Sequence, residues 1–233
     1  MGRMKRTDEQ TYARVDEILE GAAAVFIARG YRRTTMADVA AALDLSPGTL
    51  YLYFEGKEAL FHWLVIKCLR DDWAAEIPGV PAGNPGPGAT RDVLHRAIAR
   101  VVAESPLGWP IAEDPADAAG ELEAVLRSLH ATLRDFRRAI DLVERSAADW
   151  PELGEVVDQT LHGGMLDGLS RYLSTRMRRG YFAPVPDVPA AAQLVLQSLT
   201  LSARGGRGDN PRVRETVLAL ILRAFAPGGE QCV

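Results

Sequence analysis

The sequence predicts an all-α protein, and three observations predict it. Apolar residues recur at i, i+3, i+4 spacing along nearly the whole chain, and no stretch alternates as a half-buried strand would. Near the N-terminus two short helices, each with its own capping signals, are separated by about three residues, Asp44 to Ser46, which is the pattern of a helix-turn-helix. The last two helices are apolar on most sides, as helices buried on most sides are. The expected organisation is an N-terminal arm and three-helix helix-turn-helix domain over residues 1–56, a larger helical-bundle domain over 57–226 and a flexible tail over 227–233.

Taken in order, the first helix is expected from Gln10 to Arg29, with Val15, Ile18, Leu19, Ala22 and Phe26 on one face and Gly30 as the left-handed residue that ends it. The second starts at Thr35, where Thr35-Met36-Ala37-Asp38 reads as a capping box closed by Asp, and it buries Met36, Val39, Ala40 and Leu43. Ser46 is the N-cap of the third, with Pro47 at the first helical position and a possible staple from Leu45 to Leu50. A longer helix is expected from Gly56 to Glu76 with Leu60, Leu64, Val65, Cys68 and Leu69 inward. The Pro/Gly-rich run from Pro78 to Gly88 reads as a mobile loop. Helices resume over Thr90–Glu104, Ala116–Leu133, Phe136–Ala148, Pro151–Arg179 (with a kink at Gly163-Gly164), Pro189–Ala203 and Pro211–Phe225.

Composition excludes several classes. Hydrophobic residues make up 47% and charged residues 25% of 233 residues, an ordinary globular balance. No apolar run approaches the roughly 18 residues of a membrane span. Polar residues follow the basic start Met1-Gly2-Arg3-Met4-Lys5-Arg6 where a signal peptide would have an apolar core, so a cytoplasmic protein with no membrane partner is expected. Cys68 falls on an apolar helix face and Cys232 on the tail, with no metal-ligand spacing around either; no metal and no cofactor are expected. Walker A, GxGxxG, HExxH and GxSxG patterns are absent. Gly205-Gly206-Arg207-Gly208 lacks the Lys-Ser/Thr of a phosphate loop and follows a helix. An enzyme is therefore not expected. Net charge is −4, and residues 1–57 carry eight basic and eight acidic side chains, so charge alone does not mark a nucleic-acid binder and the motif must.

That motif is Thr34-Thr35-Met36-Ala37-Asp38-Val39-Ala40 followed by Ser46-Pro47-Gly48-Thr49-Leu50-Tyr51-Leu52-Tyr53-Phe54-Glu55-Gly56-Lys57-Glu58-Ala59-Leu60. Together with Ile18 to Gly30, it resembles the DNA-binding domain of TetR-family transcriptional regulators over about 50 residues. The resemblance implies double-stranded DNA as partner, read as an inverted-repeat operator by a homodimer. A recognition helix enters the major groove N-terminus first, which here presents the small residues Ser46, Pro47, Gly48 and Thr49, whose free N–H groups also suit phosphate. Tyr51 and Tyr53 would offer hydroxyls to phosphates, as the family implies, although either ring could instead pack in the core; Leu50 and Phe54 belong to the core. Thr35 would be both cap and phosphate contact. A cation at Lys57, in the first turn of its helix, opposes the helix dipole by about a few tenths of a kcal/mol, which makes sense with a phosphate as third partner; neutralisation by Glu58 is the alternative. Asp44 stands where the family usually has Gly in the turn, and Asp tolerates the left-handed region better than most residues. With no Arg or Lys in the recognition helix, readout would rest on apolar and hydroxyl contacts and on DNA shape. Arg3, Lys5, Arg6, Arg32 and Arg33 are the nearest positive charges, or simply solvated surface.

Beyond residue 77 the chain resembles the family in architecture only. The family implies dimerisation through the last two helices, with Leu194, Leu199, Val217, Leu218 and Ile221 as interface residues; burial of these helices inside one subunit is the alternative. An unknown small apolar or amphipathic effector would meet Trp109, Phe136, Trp150, Met165 and Tyr172, with His130, His162, Gln159 and Arg134 as candidate polar anchors; each could equally be core or surface. Repression with release by effector is the expected activity; an activator, or a helical interaction module without induction, is the alternative.

Overall fold

A computed structural model describes residues 6–70, 73–75, 77, 79–108, 111, 114–204 and 210–226. The arm residues Arg3 and Lys5, the effector candidate Trp109, the Gly205–Gly208 run and the tail with Cys232 lie outside the described residues. Among the described residues the chain is helical, with one isolated β-bridge and no strand. Its contacts divide it into two compact units, residues 1–97 with 138–157, and residues 98–137 with 158–233.

In the first unit, α1 (Arg6–Arg29) buries Val15, Ile18, Leu19, Ala22 and Phe26 completely. Gly30 ends it at φ +82°, its N–H donating to the Phe26 carbonyl at 2.7 Å. The start lies four residues earlier than the apolar stripe suggests, because a turn of polar residues continues a helix without adding to its apolar pattern. α2 (Met36–Ala42) opens with the complete capping box: the Asp38 N–H donates to Thr35 Oγ1 at 3.2 Å and the Thr35 N–H to Asp38 Oδ2 at 2.9 Å. Gly21 sits where α1 meets α2, and a Cβ there would collide with the Leu43 side chain. The turn places Asp44 at φ +55°, the left-handed position expected of it. α3 (Pro47–Tyr51) starts at the Ser46 cap, which accepts the Thr49 N–H at 3.2 Å, and it sends Leu50 into the core.

α4 (Lys57–Leu69) is shorter than its periodicity suggests. Arg70 is extended at φ −149°, ψ 132°, and a 3-10 turn follows at Trp73–Ala75. The apolar spacing runs on because Trp73 and Ile77 are also buried, so pattern survives where helix does not. Buried on most sides, α4 packs against α1, which is why the first compact unit extends past residue 56. Burial pushes the Cys68 thiol up to about 11, leaving an unreactive thiol.

The Pro/Gly segment, expected to be mobile, is tied down. Ala82 bridges to Phe54: its N–H donates to the Tyr53 carbonyl at 2.7 Å, and its carbonyl accepts from the Glu55 N–H at 3.0 Å. The Asn84 N–H donates to Glu55 Oε2 at 3.0 Å, and Asn84 Oδ1 accepts from the Ala59 N–H at 3.2 Å. Gly56, the N-cap of α4, has no side chain to cap with, so a residue 25 positions beyond Ala59 supplies one.

α5 (Ala89–Glu104) follows, and the boundary between the units falls within it. α7 (Arg137–Ala147) and α8 (Pro151–Val156) belong almost wholly to the first unit. There Arg138 Nη2 meets Glu20 Oε2 at 2.5 Å and Lys67 Nζ meets Glu20 Oε1 at 2.7 Å. The Arg138 guanidinium and, after it, the Lys67 ammonium hold the Glu20 carboxyl down at about 2. A depressed carboxyl pKa stabilises the fold at pH above the ordinary value, and that contribution is lost as pH falls through the folded value. Between pH 4.5 and about 2, stability by urea unfolding should therefore fall, and Glu20→Gln should flatten that slope while lowering stability at neutral pH. An unchanged slope would show the pair to be screened into insignificance.

The second unit holds a 3-10 turn at Pro106–Gly108, α6 (Ala118–Asp135), a π-helical turn at Val157–Gly163, α9 (Gly164–Arg178), α10 (Val188–Ala203) and α11 (Pro211–Phe225). The π turn takes the place of the kink expected at Gly163-Gly164. Asp117, Asp187 and Asn210 cap α6, α10 and α11 with their side chains. α10 packs against α6, α9 and α11, burying Leu199 against a core that includes Leu126, Leu129, Leu169 and Leu173.

Candidate nucleic-acid interface

The helix-turn-helix is a polar surface laid over a closed core. Leu50 and Phe54 are fully buried while Tyr51 and Leu52 are 50% and 67% exposed. Ser46, Pro47 and Gly48 are exposed and Thr49 half-buried, with Thr49 Oγ1 and Ser46 Oγ in a 2.8 Å hydrogen bond. Thr35 is exposed at the head of α2, and Tyr53 is half-buried beside the bridge to Ala82. The structure thus places all of Thr35, Ser46, Pro47, Gly48, Thr49, Tyr51, Tyr53 and Lys57 in the first unit, around two capped helix starts and the turn that follows α3. Leu52, not singled out from the sequence, is an exposed apolar side chain in the same stretch, suited to a thymine methyl.

Lys57 has partners that the sequence did not reveal. Its Nζ donates to the Tyr31 carbonyl at 3.1 Å and lies 4.4 Å from the centre of the Tyr31 ring. Glu58, the alternative partner for Lys57, accepts a hydrogen bond from the Tyr31 hydroxyl at 3.1 Å. Burial, followed by the Glu58 charge, pushes the Tyr31 phenol well above its ordinary range, so it stays a donor. Two acidic groups of the motif are engaged elsewhere: Asp38 with Thr35 and Arg29, Glu55 with Asn84.

The effector candidates divide between the two units. Trp150 belongs to the first unit, its ring 5.2 Å from Tyr31 and 5.9 Å from Phe61. Met165 and Tyr172 are buried in the second unit, the Tyr172 hydroxyl donating to Glu121 Oε2 at 3.0 Å, while Phe136 is half-buried as the C-cap of α6. Of the polar candidates, His130 is buried with Nε2 3.2 Å from Ser202 Oγ, His162 lies 3.4 Å from Asp158, Arg134 pairs with Asp135, and Gln159 is exposed. A separate apolar cavity of about 380 Å3 in the second unit is lined by Leu122, Tyr181, Phe182, Leu222 and Phe225. No group of three metal-binding side chains occurs among the described residues, and no described helix is long and apolar enough to cross a membrane.

The dimerisation residues divide by burial. Leu199 and Leu218 lie in the protomer's own core, and Ile221 is buried with them; Val217 is half-buried. Leu194 is outward at 65% exposure, with Leu201 at 77% and Leu220 at 61%. Leu199 and Leu218 therefore pack within the protomer, whereas Ile221 also lines an apolar groove beside Leu194 and Leu220; a helix apolar all round gives no phase for deciding which leucines meet their own protomer.

Two short capped helices crossing a buried first helix define a helix-turn-helix domain of the three-helix kind. Residues 18–64 match the family model described as bacterial regulatory proteins, tetR family. Residues 18–64 thus carry the N-terminal domain of TetR-family regulators. It is 36% identical over 69 residues to a probable acrEF/envCD operon repressor of Escherichia coli, covering 29% of this chain and 31% of that one. It is 39% identical over 69 residues to the HTH-type transcriptional repressor KstR2 of Mycolicibacterium smegmatis, covering 29% and 32%. The matches thus span about a third of the length of these curated relatives. Over the whole fold it resembles the ketosteroid transcriptional regulator KstR2 of Mycobacterium tuberculosis, with TM-score 0.57 and 21% identity over 92% of this chain and 96% of that one. A tetR-family regulatory protein from Rhodococcus RHA1 gives TM-score 0.53 and 19% identity over 92% and 98%. At these identities the likeness is one of fold.

Proposed function

We propose that this chain is a cytoplasmic transcriptional repressor that binds an inverted-repeat operator as a homodimer and is released by a small apolar or amphipathic effector. The observation that carries the DNA-binding reading is the exposed edge of Ser46, Pro47, Gly48, Tyr51 and Leu52 standing on a core that buries Leu50 and Phe54. Side chains fixed by packing beneath them lose little entropy on binding. The domain division at 56/57 assigns DNA binding to the N-terminal part and effector binding with dimerisation to the rest.

The dimer reading draws on Leu194, Ser198 and Leu201 along α10 and Val213, Val217 and Leu220 along α11, two stripes at i, i+4, i+7 spacing. Between them runs a shallow apolar groove of about 270 Å3 lined by Leu194, Ser198, Leu220 and Ala224. A second copy would set its own stripes into that groove as a four-helix bundle. Two linked recognition helices engage one face of a duplex when about 34–36 Å or a multiple separates them, so the half-sites should keep helical phase. For the effector, the cavity of about 380 Å3 beside Leu122 and Tyr181 has the size and apolar character of a small-molecule site.

A mobility-shift titration on the DNA upstream of the chain's own gene tests the reading. Lys57→Ala should weaken binding to every duplex alike and lower the salt slope by about one. Thr49→Ala should relax preference at particular base positions. A Lys57→Ala protein with altered sequence preference and unaltered salt dependence would reverse these roles.

A further inference from the structure

We infer that Trp150, at the α7–α8 corner, is a positioning residue for DNA binding: it braces the Tyr31 ring, and Tyr31 in turn holds the Lys57 ammonium toward a phosphate. The inference rests on the DNA-binding reading above and adds to it a residue far along the chain.

The corner is fastened to the end of α1 by several independent contacts, all within the first unit. Arg145 Nη2 donates to the Ala28 carbonyl at 3.0 Å, and the Arg32 N–H donates to Asp149 Oδ2 at 3.0 Å. Gly30, at φ +82°, lets the chain turn there with no Cβ, which would stand 3.0 Å from the Arg145 carbonyl oxygen. These contacts place Trp150 against Tyr31 at 5.2 Å and against Phe61 at 5.9 Å, and Phe61 meets Tyr31 edge-on at 5.0 Å. The Tyr31 ring is thereby held by Trp150, Phe61 and, at 6.2 Å, Phe26.

The held ring has one functional neighbour. Lys57 Nζ lies 4.4 Å from its centre and donates to the Tyr31 carbonyl at 3.1 Å. An ammonium carries three donors. The carbonyl takes one and the ring face attracts the charge, which orients the group and leaves N–H capacity for an anion. A free lysine would have to freeze four torsions to make one phosphate contact; this one is partly frozen beforehand. Glu58 accepts from the Tyr31 hydroxyl at 3.1 Å, so the adjacent carboxylate is turned to the tyrosine edge.

The test is a set of salt titrations of binding to a short duplex of arbitrary sequence, read by fluorescence anisotropy, with thermal unfolding recorded for each variant. Tyr31→Leu keeps the carbonyl and loses the ring; Trp150→Leu keeps Tyr31 and loses its brace. Each should weaken binding by about threefold to tenfold and lower the salt slope by up to about one. Tyr31→Phe and Trp150→Phe, which keep aromatic rings in place, should restore both. In a Lys57→Ala background neither Tyr31→Leu nor Trp150→Leu should lower affinity or slope further. That non-additivity is what a general loss of stability would not produce. If the losses add in the Lys57→Ala background, or if the Leu variants bind as the wild type does, Trp150 has no positioning role although the protein still binds DNA. A wild-type protein that binds no duplex overturns the DNA-binding reading and this inference together.

Discussion

Leu199→Asp is expected to unfold the second unit, whereas Leu194→Asp combined with Leu220→Asp should leave it folded and convert a dimer into monomers. All three leucines lie on the last two helices, and sequence alone treats them alike. Leu199 is completely buried in α10, where that helix packs on α6, α9 and α11. Removing a buried leucine costs about 2–5 kcal/mol, and an unpaired carboxylate in its place adds several kcal/mol more or takes up a proton to avoid them. Total stability of a domain is about 5–15 kcal/mol, so this one substitution consumes most of it. Leu194 and Leu220 are exposed in the protomer, so aspartates there meet water and cost the fold little. In a four-helix bundle between copies they would meet each other, with charge repulsion and desolvation acting on the interface alone. Sedimentation velocity and circular dichroism separate the cases: a folded monomer with weakened operator binding for the exposed pair, lost helicity for Leu199→Asp. A wild-type protein that sediments as a monomer at micromolar concentration would remove the dimer.

What could be read in the sequence follows from the range of the interactions that write it. The capping box at Thr35 and Asp38, the Ser46–Pro47 helix start, the left-handed turn at Asp44 and the stop at Gly30 are all set by residues within a few positions of one another, and each stands where the local rules put it. The start of α1 at Arg6 and the end of α4 at Leu69 were less visible. A turn of polar residues carries no apolar signal, and an extended residue followed by a 3-10 turn keeps Trp73 buried without continuing the helix. The Asn84 cap on α4 could not be foreseen, because it joins a Pro/Gly loop to a backbone N–H 25 residues earlier. An aromatic residue in a helical region is more often core than pocket wall, and the sequence around Trp150 does not decide between them. Only the fold assigns it to Tyr31 and Phe61.

The second large effect is expected at Glu121 in α6, whose replacement by Ala should destabilise the second unit by about 1.5–3 kcal/mol, because it takes a bidentate partner from a buried guanidinium while the carboxylate itself is 30% exposed. The Arg176 side chain in α9 is 0% exposed. Its Nε and Nη2 reach the two oxygens of Glu121, each at 2.8 Å, in the bidentate geometry that a guanidinium forms best. The guanidinium also lies 5.6 Å from the Tyr172 ring and 5.8 Å from the Tyr181 ring, and Tyr172 donates to the same carboxylate. Without Glu121 the guanidinium keeps its ring contacts and loses its bidentate carboxylate partner. Arg176→Met in the Glu121→Ala background replaces the guanidinium by apolar atoms and should recover a large part of the loss, because a buried pair is dispensable where apolar atoms fill its volume. Urea unfolding of the two single variants and the double variant measures this as a cycle. A Glu121→Ala loss below about 1 kcal/mol would show that solvent reaches the guanidinium, since exposed pairs contribute no more than that. Leu122, next to Glu121, and Tyr181, beside Arg176, both line the apolar cavity, so the clamp between α6 and α9 also fixes two of its walls. A small ligand in that cavity would then be felt at a charged contact with only one good geometry, and Arg176→Met with Glu121→Ala should loosen ligand binding even where it restores the fold.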